Sequence, residues 1–302
     1  MSLQKILIRK AMEAGRKKAR KPEPWLGERF LLPREGKKSV ETFLYRPENP
    51  SRIPMPVLFN AHGGGFVGCD ATVLDTQSRD LAEKNGCFVV NINYTKLDVE
   101  PFPYPDEEIR DTVYYFRDHA DEYSVDPSRF TLIGYSAGGN LAAGAAIMLN
   151  DEGFRLNSQI LCYPMLDFST TLGALDANGE ADQKELEKTS KMLNEFFFPL
   201  MPKSDPIVSP VNADPERLHG LAPCDIIVCG KDALYPHAEA YEKLLTEASV
   251  PVTIRSWDSS LHGFMEVNHE ETKEDRAKSP EQEGYMREAE DYIAALLKGH
   301  WA

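Results

Sequence analysis

From Val57 onward the chain repeats one pattern, a short and nearly continuous apolar run followed by a stretch of helical periodicity. The runs are 57–60, 87–92, 130–133, 159–162, 225–229 and 252–257. A strand that is apolar at almost every position has no face to leave wet, so runs of this kind suit a parallel sheet covered by helices on both sides. The intervening helices have readable ends. Pro105-Asp106-Glu107-Glu108 opens one whose Ile109, Val113 and Phe116 share a face, with the acidic residues at the positive end of the helix dipole. Ser279-Pro280-Glu281 opens the last, with Tyr285, Ala289, Ile293 and Leu296 directed inward and Gly299 near its stop. The pattern predicts an α/β architecture built of crossover units.

Two regions stand outside this rhythm. Ahead of it, Pro22 and Pro24 end a basic helix, and extended pieces follow at 29–32 and 40–46, the second alternating as an edge strand does. Within it, 166–205 is acidic and then aromatic (Phe196, Phe197, Phe198), closed by Pro199 and Pro202, and reads as an insertion forming a small helical lid. The expected organisation is a single domain over 1–302, with a cap segment at 1–25 and the lid at 166–205.

Composition narrows the function classes. At 302 residues, 42% hydrophobic and 27% charged, the chain can bury a core, and its net charge of −14 makes it a poor partner for nucleic acid. The charge is uneven: residues 1–21 carry eight basic side chains against Glu13, a net +7, which leaves −21 on the remainder. A membrane anchor, a transit peptide and a basic helix docked on an acidic body are all physical accounts of such a segment. Its apolar stripe of Leu3, Leu7 and Met12 is thin, which favours a charged face over a membrane anchor.

The cysteines, Cys69, Cys87, Cys162, Cys224 and Cys229, form an odd set without a Cys-x-x-Cys pair and read as buried free thiols of a reducing compartment. No stretch approaches the roughly 18 apolar residues of a membrane span. Leu3, Ile6, Leu7 and Ile8 run directly into Arg9 and Lys10, unlike a secretory signal. The expectation is a soluble, cytoplasmic protein, for which a homodimer is an open state.

The chemistry concentrates after the run 130–133, where Gly134-Tyr135-Ser136-Ala137-Gly138 matches G-x-S-x-G and leads into a small-residue helix containing Ala142, Ala143 and Gly144. A serine on a sharp strand-to-helix turn leaves no room for Cβ atoms two positions before and after it. His62-Gly63-Gly64-Gly65-Phe66, 74 residues earlier, follows another strand. It lacks the Lys-Ser/Thr of a phosphate loop, and three glycines let backbone N–H groups approach a developing oxyanion.

A serine hydroxyl needs a histidine to take its proton and an acid to orient that histidine, in the chain order Ser, Asp/Glu, His on this kind of sheet. His62 and His119 precede the serine, His219 and His237 come too early, and His269 and His300 lie in or beside polar C-terminal sequence. His262, just past 252–257, is in place. For the acid, Asp232 follows the run 225–229, 96 residues after Ser136 and 30 before His262. Asp258 shares a strand with His262, and Asp225 opens its strand at the end opposite to where sites gather on parallel sheets.

With HGGGF at 62–66, GYSAGGN at 134–140, Ser209-Pro210 placed before a strand, GKDAL at 230–234 and LHGF at 261–264, the chain resembles the hormone-sensitive-lipase-like branch of the α/β-hydrolases over about residues 40–298. That resemblance implies an α/β-hydrolase fold, a triad of Ser136, Asp232 and His262, and an oxyanion hole from the N–H groups of Gly64, Gly65 and Ala137. It also implies that His62 shapes the glycine loop, and that a helical cap covers the site. The sequence departs from the family pattern at Tyr135, where an acidic residue is usual, and at Tyr94-Thr95-Lys96-Leu97-Asp98-Val99-Glu100, which leaves the packing and salt links of that loop unassigned.

The expected activity is a serine carboxylesterase acting on short-chain esters, with a small-molecule ester as partner and neither metal nor cofactor required. The alternatives are a deacetylase of sugars or aryl acetamides and a hydrolase-fold protein that binds a ligand without turnover.

Overall fold

The computed structural model describes residues 3–169, 202–269, 275 and 277–302. Among them, eight strands form one sheet: β1 Glu28–Arg34, β2 Lys37–Tyr45, β3 Met55–Ala61, β4 Phe88–Asn93, β5 Val125–Tyr135, β6 Ser158–Cys162, β7 Cys224–Lys231 and β8 Val252–Leu261. Their order is β1-β2-β4-β3-β5-β6-β7-β8, antiparallel at β1·β2 and β2·β4 and parallel from β4 onward. Each predicted run lies within one of these strands, apart from Cys87, which stands just before β4. The alternating piece at 40–46 is not an edge strand: β2 is bonded on both sides, and the half-exposed edges are β1 and β8. The exposed residues of β2 sit at its start, and Phe43, Leu44 and Tyr45 at its end are buried.

Alternation along the strands splits the core between the two faces of the sheet. Phe59, Val90, Leu132, Leu161 and Val228 face one layer with the helices Tyr104–Asp118, Ala137–Asp151 and Tyr235–Glu247. Leu58, Val89, Ile133, Ile160 and Ile227 face the other with Asp75–Asn85 and Pro280–His300. Neighbouring residues on a central strand therefore enter different cores, which is why those runs are mostly apolar on both faces.

Ile109, Val113 and Phe116 are fully buried as the periodicity predicts. The acidic residues that open their helix are not simply dipole charges, because Asp106 and Glu108 are buried. Burial holds the Asp106 carboxyl well above its usual range, and a Cβ on Gly144 would lie 2.4 Å from its oxygen, so this glycine makes room for a carboxyl group. In the last helix the inward face is Gln282, Met286, Ala289, Ile293 and Leu297, one residue on from the predicted Tyr285 and Leu296 at its ends. Ser209-Pro210 opens a 3-10 turn, Pro210–Asn212, rather than preceding a strand.

The predicted lid lies, over 170–201, outside the described residues. The basic segment is a helix, Leu3–Ala19. Arg16 pairs with buried Asp98 through two hydrogen bonds of 2.7 and 3.0 Å and donates to the Val67 carbonyl. Arg20 bridges Glu41 and Asp70 at 2.8 and 2.9 Å. No helix among the described residues is long and apolar enough to cross a membrane. All five cysteines are free, and only Cys69 is partly exposed.

Candidate active site

The site gathers at the carboxyl ends of β3, β5, β7 and β8, where loops leave the sheet. Ser136 stands between β5 and the helix Ala137–Asp151 at φ 52, ψ −113, a conformation that an L residue adopts only when its surroundings force it. The forcing is steric. A Cβ on Gly134 would lie 2.2 Å from the Gly138 carbonyl oxygen, and one on Gly138 would lie 2.1 Å from that of Ala61. The second contact also shows how close the elbow runs to the end of β3. The Ser136 N–H donates to the Cys162 carbonyl at 2.8 Å, which fixes the turn on β6.

Three predicted residues meet in a chain of hydrogen bonds. Ser136 Oγ lies 2.8 Å from His262 Nε2, and His262 Nδ1 lies 2.6 Å from Asp232 Oδ2. With the Nδ1 hydrogen given to Asp232, Nε2 is left to accept from the serine hydroxyl. The other Asp232 oxygen accepts the Leu234 N–H at 3.0 Å, so the carboxylate caps the turn after β7 while orienting the histidine. Burial opposes a charge on His262, but the charge and hydrogen bond of Asp232, with further contributions from Glu266 and Asp275, hold the imidazole above its ordinary value.

The rival residues sit elsewhere. Asp258 is exposed. Asp225 accepts from Thr253 Oγ1 at 2.6 Å and pairs with His300 at 2.7 Å, far down β7. His269 pairs with Glu290, and burial holds buried His237 below its ordinary value.

The glycine loop follows β3. Gly64 and Gly65 have φ of 118 and 60, so both use conformations that favour glycine. Opposite them, Ala137 begins a helix, whose first N–H groups have no partner within the helix.

Side chains that sequence reasoning did not single out hold this loop. Lys96, 5% exposed, donates to the Tyr94 carbonyl at 2.6 Å, to His62 Nε2 at 3.0 Å and to Asn93 Oδ1 at 3.2 Å. His62 then carries its hydrogen on Nδ1 and donates it to the Gly63 carbonyl at 2.6 Å. Burial, and next the Lys96 charge, keep His62 well below its ordinary value and therefore neutral. Burial likewise lowers Lys96 to about 8. Tyr94 stacks on His62 with ring centres 4.4 Å apart and donates to the His62 carbonyl at 2.8 Å.

From the other side, Glu266 accepts the Gly63 N–H at 2.9 Å. The hint for Lys96 was its place in the stretch that departs from the family pattern, and for Glu266 its position one helical turn after His262. Neither hint identifies a partner. A cavity of about 1150 Å³ opens beside Gly64 and Glu266 and runs to Gly15, Ala19 and Pro22 of the N-terminal segment. Among the described residues, no group of three or more His, Cys, Asp or Glu is arranged to hold a metal ion.

Residues 58–266 match a family of α/β-hydrolase fold. The chain belongs to the α/β-hydrolase family. The resemblance read from its motifs is borne out, and the mostly parallel sheet with helices on both faces is the family's architecture. Esterase LipI of Mycobacterium tuberculosis is 28% identical over 228 residues, covering 75% of this chain and 71% of the relative. An acetyl esterase of Salmonella enteritidis is 28% identical over 241 residues, covering 79% of this chain and 73% of the relative. The hyperthermophilic esterase of Pyrobaculum calidifontis superposes with a TM-score of 0.76 at 27% identity, over 99% of this α/β-hydrolase chain and 94% of the other.

Proposed function

We propose that this α/β-hydrolase is a serine carboxylesterase of short-chain esters that works through a covalent acyl-enzyme. The coarser statement, that the chain is an esterase, stands on its family membership and on the esterase names of the relatives it matches. The triad and its sequence of steps rest on one observation, the continuous chain Ser136 Oγ, His262 Nε2, His262 Nδ1, Asp232 at 2.8 and 2.6 Å. Ser136 attacks the ester carbonyl as His262 takes its proton, and the oxyanion is received by N–H groups of Gly64, Gly65 and Ala137. His262 then returns the proton to the leaving alcohol. Water, deprotonated by the same imidazole, attacks the acyl-enzyme and releases the acid, with Asp232 stabilising the imidazolium throughout.

The short-chain preference rests on the cap reading, in which the N-terminal segment, held to the body by Arg16 and Arg20, lies across a cavity from Gly64 of the glycine loop. The domain reading of a single 1–302 unit with caps at 1–25 and 166–205 belongs to the same proposal.

Turnover of p-nitrophenyl acetate and butyrate tests the mechanism. Ser136→Ala is expected to lower kcat by about 10⁴-fold or more and to abolish fluorophosphonate labelling. Retention of wild-type turnover would refute the covalent route, and an activity profile over increasing acyl length tests the chain preference.

A further inference from the structure

Between the catalytic histidine and the glycine loop lies a carboxylate that the triad does not use. Glu266 belongs to the short helix Phe264–Asn268 that leaves His262. One oxygen accepts the Gly63 N–H at 2.9 Å, and the other lies 3.4 Å from the Tyr163 hydroxyl. The Tyr163 ring in turn meets the His262 ring edge-on, with centres 5.1 Å apart. The contact with Gly63 is close enough that a Cβ there would stand 2.8 Å from either carboxylate oxygen, so the glycine admits the carboxylate as well as freeing the backbone.

Resting on the esterase reading above, we propose that Glu266 is a positioning residue that couples the two halves of the active site, holding the glycine loop in register with the histidine. The peptide groups around Gly63 are held on both sides. Its N–H is taken by Glu266 and its carbonyl by His62, which leaves the next N–H groups, Gly64 and Gly65, to turn toward the substrate oxygen. A carboxylate that accepts a backbone N–H makes a charge-assisted bond, stronger and shorter than a neutral one, and Glu266 is half-buried where it does so. The same negative charge favours the imidazolium of His262, in addition to Asp232 and Asp275. Burial raises Glu266 itself, and the N–H of Gly63 and the charge of His262 oppose that rise. The groups packed around it, Tyr94, Tyr135, Tyr163, Cys69 and Cys162, are all raised by burial and stay neutral in the working range.

Two substitutions separate the two roles. Glu266→Ala removes the acceptor for Gly63, and kcat on p-nitrophenyl butyrate should fall about 10- to 100-fold, as a misaimed oxyanion donor costs. KM should stay within about twofold, and fluorophosphonate labelling should slow in parallel. Glu266→Gln keeps an oxygen for the Gly63 N–H and removes only the charge. Its kcat at pH 8 should return most of the way to wild type, while the acid limb of kcat/KM moves to lower pH, because a neutral neighbour no longer favours the imidazolium.

A purely structural role would not move that limb. If Glu266→Ala does not fold, the limb of Glu266→Gln decides alone. An unmoved limb in Glu266→Gln, or kcat of Glu266→Ala within twofold of wild type, would overturn the proposal. Ser136→Ala run beside them distinguishes the failures: if it is inactive while the Glu266 variants behave as wild type, the esterase reading stands and only the role of Glu266 falls.

Discussion

The two sides of the proposed nucleophile, Ser136, are held in place by different physics. On the nucleophile side the backbone is fixed by exclusion: Gly134 and Gly138 are packed so closely against main-chain carbonyls that any Cβ would stand 2.1 to 2.2 Å from an oxygen. On the oxyanion side only Gly65 has room, since its Cβ would meet nothing within 4 Å, whereas a Cβ on Gly63 would stand 2.8 Å from the Glu266 carboxylate and one on Gly64 2.9 Å from the Gly68 carbonyl oxygen. There the backbone is held by polar side chains brought from elsewhere, buried Lys96 through buried His62 and half-buried Glu266 directly. Steric exclusion at Gly134 is local, set by Gly138 four residues on, whereas at Gly138 it comes from Ala61 at the end of β3. Polar anchoring depends on partners as much as 203 positions apart, as Gly63 and Glu266 are.

The largest expected effect falls on the side shared by both. Asp232→Asn leaves the turn capped but gives His262 Nδ1 no anionic partner and unsettles its tautomer, so kcat should drop about 10⁴-fold with folding intact by circular dichroism. Gly138→Ala tests exclusion: the clash is with backbone that cannot swing away, and a loss of about 3 kcal/mol or more in denaturant unfolding is expected. Gly65→Ala should cost only about 1–2 kcal/mol, for its left-handed φ alone. Equal losses would erase the contrast.

Lys96→Met tests anchoring. It leaves His62 Nε2 without its donor, so either ring tautomer becomes available and the Gly63 carbonyl loses its fixed partner. Turnover should fall about 10-fold with KM little changed, in line with other residues that orient a functional histidine.

The smallest effect is on pH dependence. The base must be neutral to accept the serine proton, and Asp232 and Glu266 hold His262 above its ordinary value despite burial. The acid limb of kcat/KM should therefore lie above pH 6.5, the ordinary histidine value, with activity lost as pH falls through it.

Much of this was legible before any coordinates. The apolar runs predicted the central strands because each of those is covered on both faces, and a mostly apolar run reports that directly; the run 252–257 belongs instead to β8, at the sheet edge. The elbow motif was legible because one of its constraints, Gly134 against Gly138, acts between residues four apart; the contact of Gly138 with Ala61 was not. The triad candidates followed from chain order, since each loop leaves the same end of the sheet. The last helix was misphased by about one residue at its ends, where Met286 and Leu297 are buried rather than Tyr285 and Leu296. An aromatic or aliphatic residue beside the buried stripe reads as part of it when only periodicity is available.

Other features had no local signature. Asp106 looked like a helix-end charge and is buried against Gly144, a fact set by how closely two helices approach. The loop at 94–100 could be seen to depart from the family pattern, but not that Asp98 would receive Arg16 or that Lys96 would be buried against His62. The +7 of the first 21 residues was plain in the sequence. Which carboxylates Arg16 and Arg20 meet is visible only with the helix in place.

By itself, then, the sequence determined the central strands, the glycine pattern of the elbow and the order of the candidate triad residues, which are read from periodicity, motif and chain order. The tertiary structure alone decided which charges hold the glycine loop and the N-terminal helix. A hydrogen bond between distant residues depends on where the folded chain brings them, and no spacing in the sequence records it.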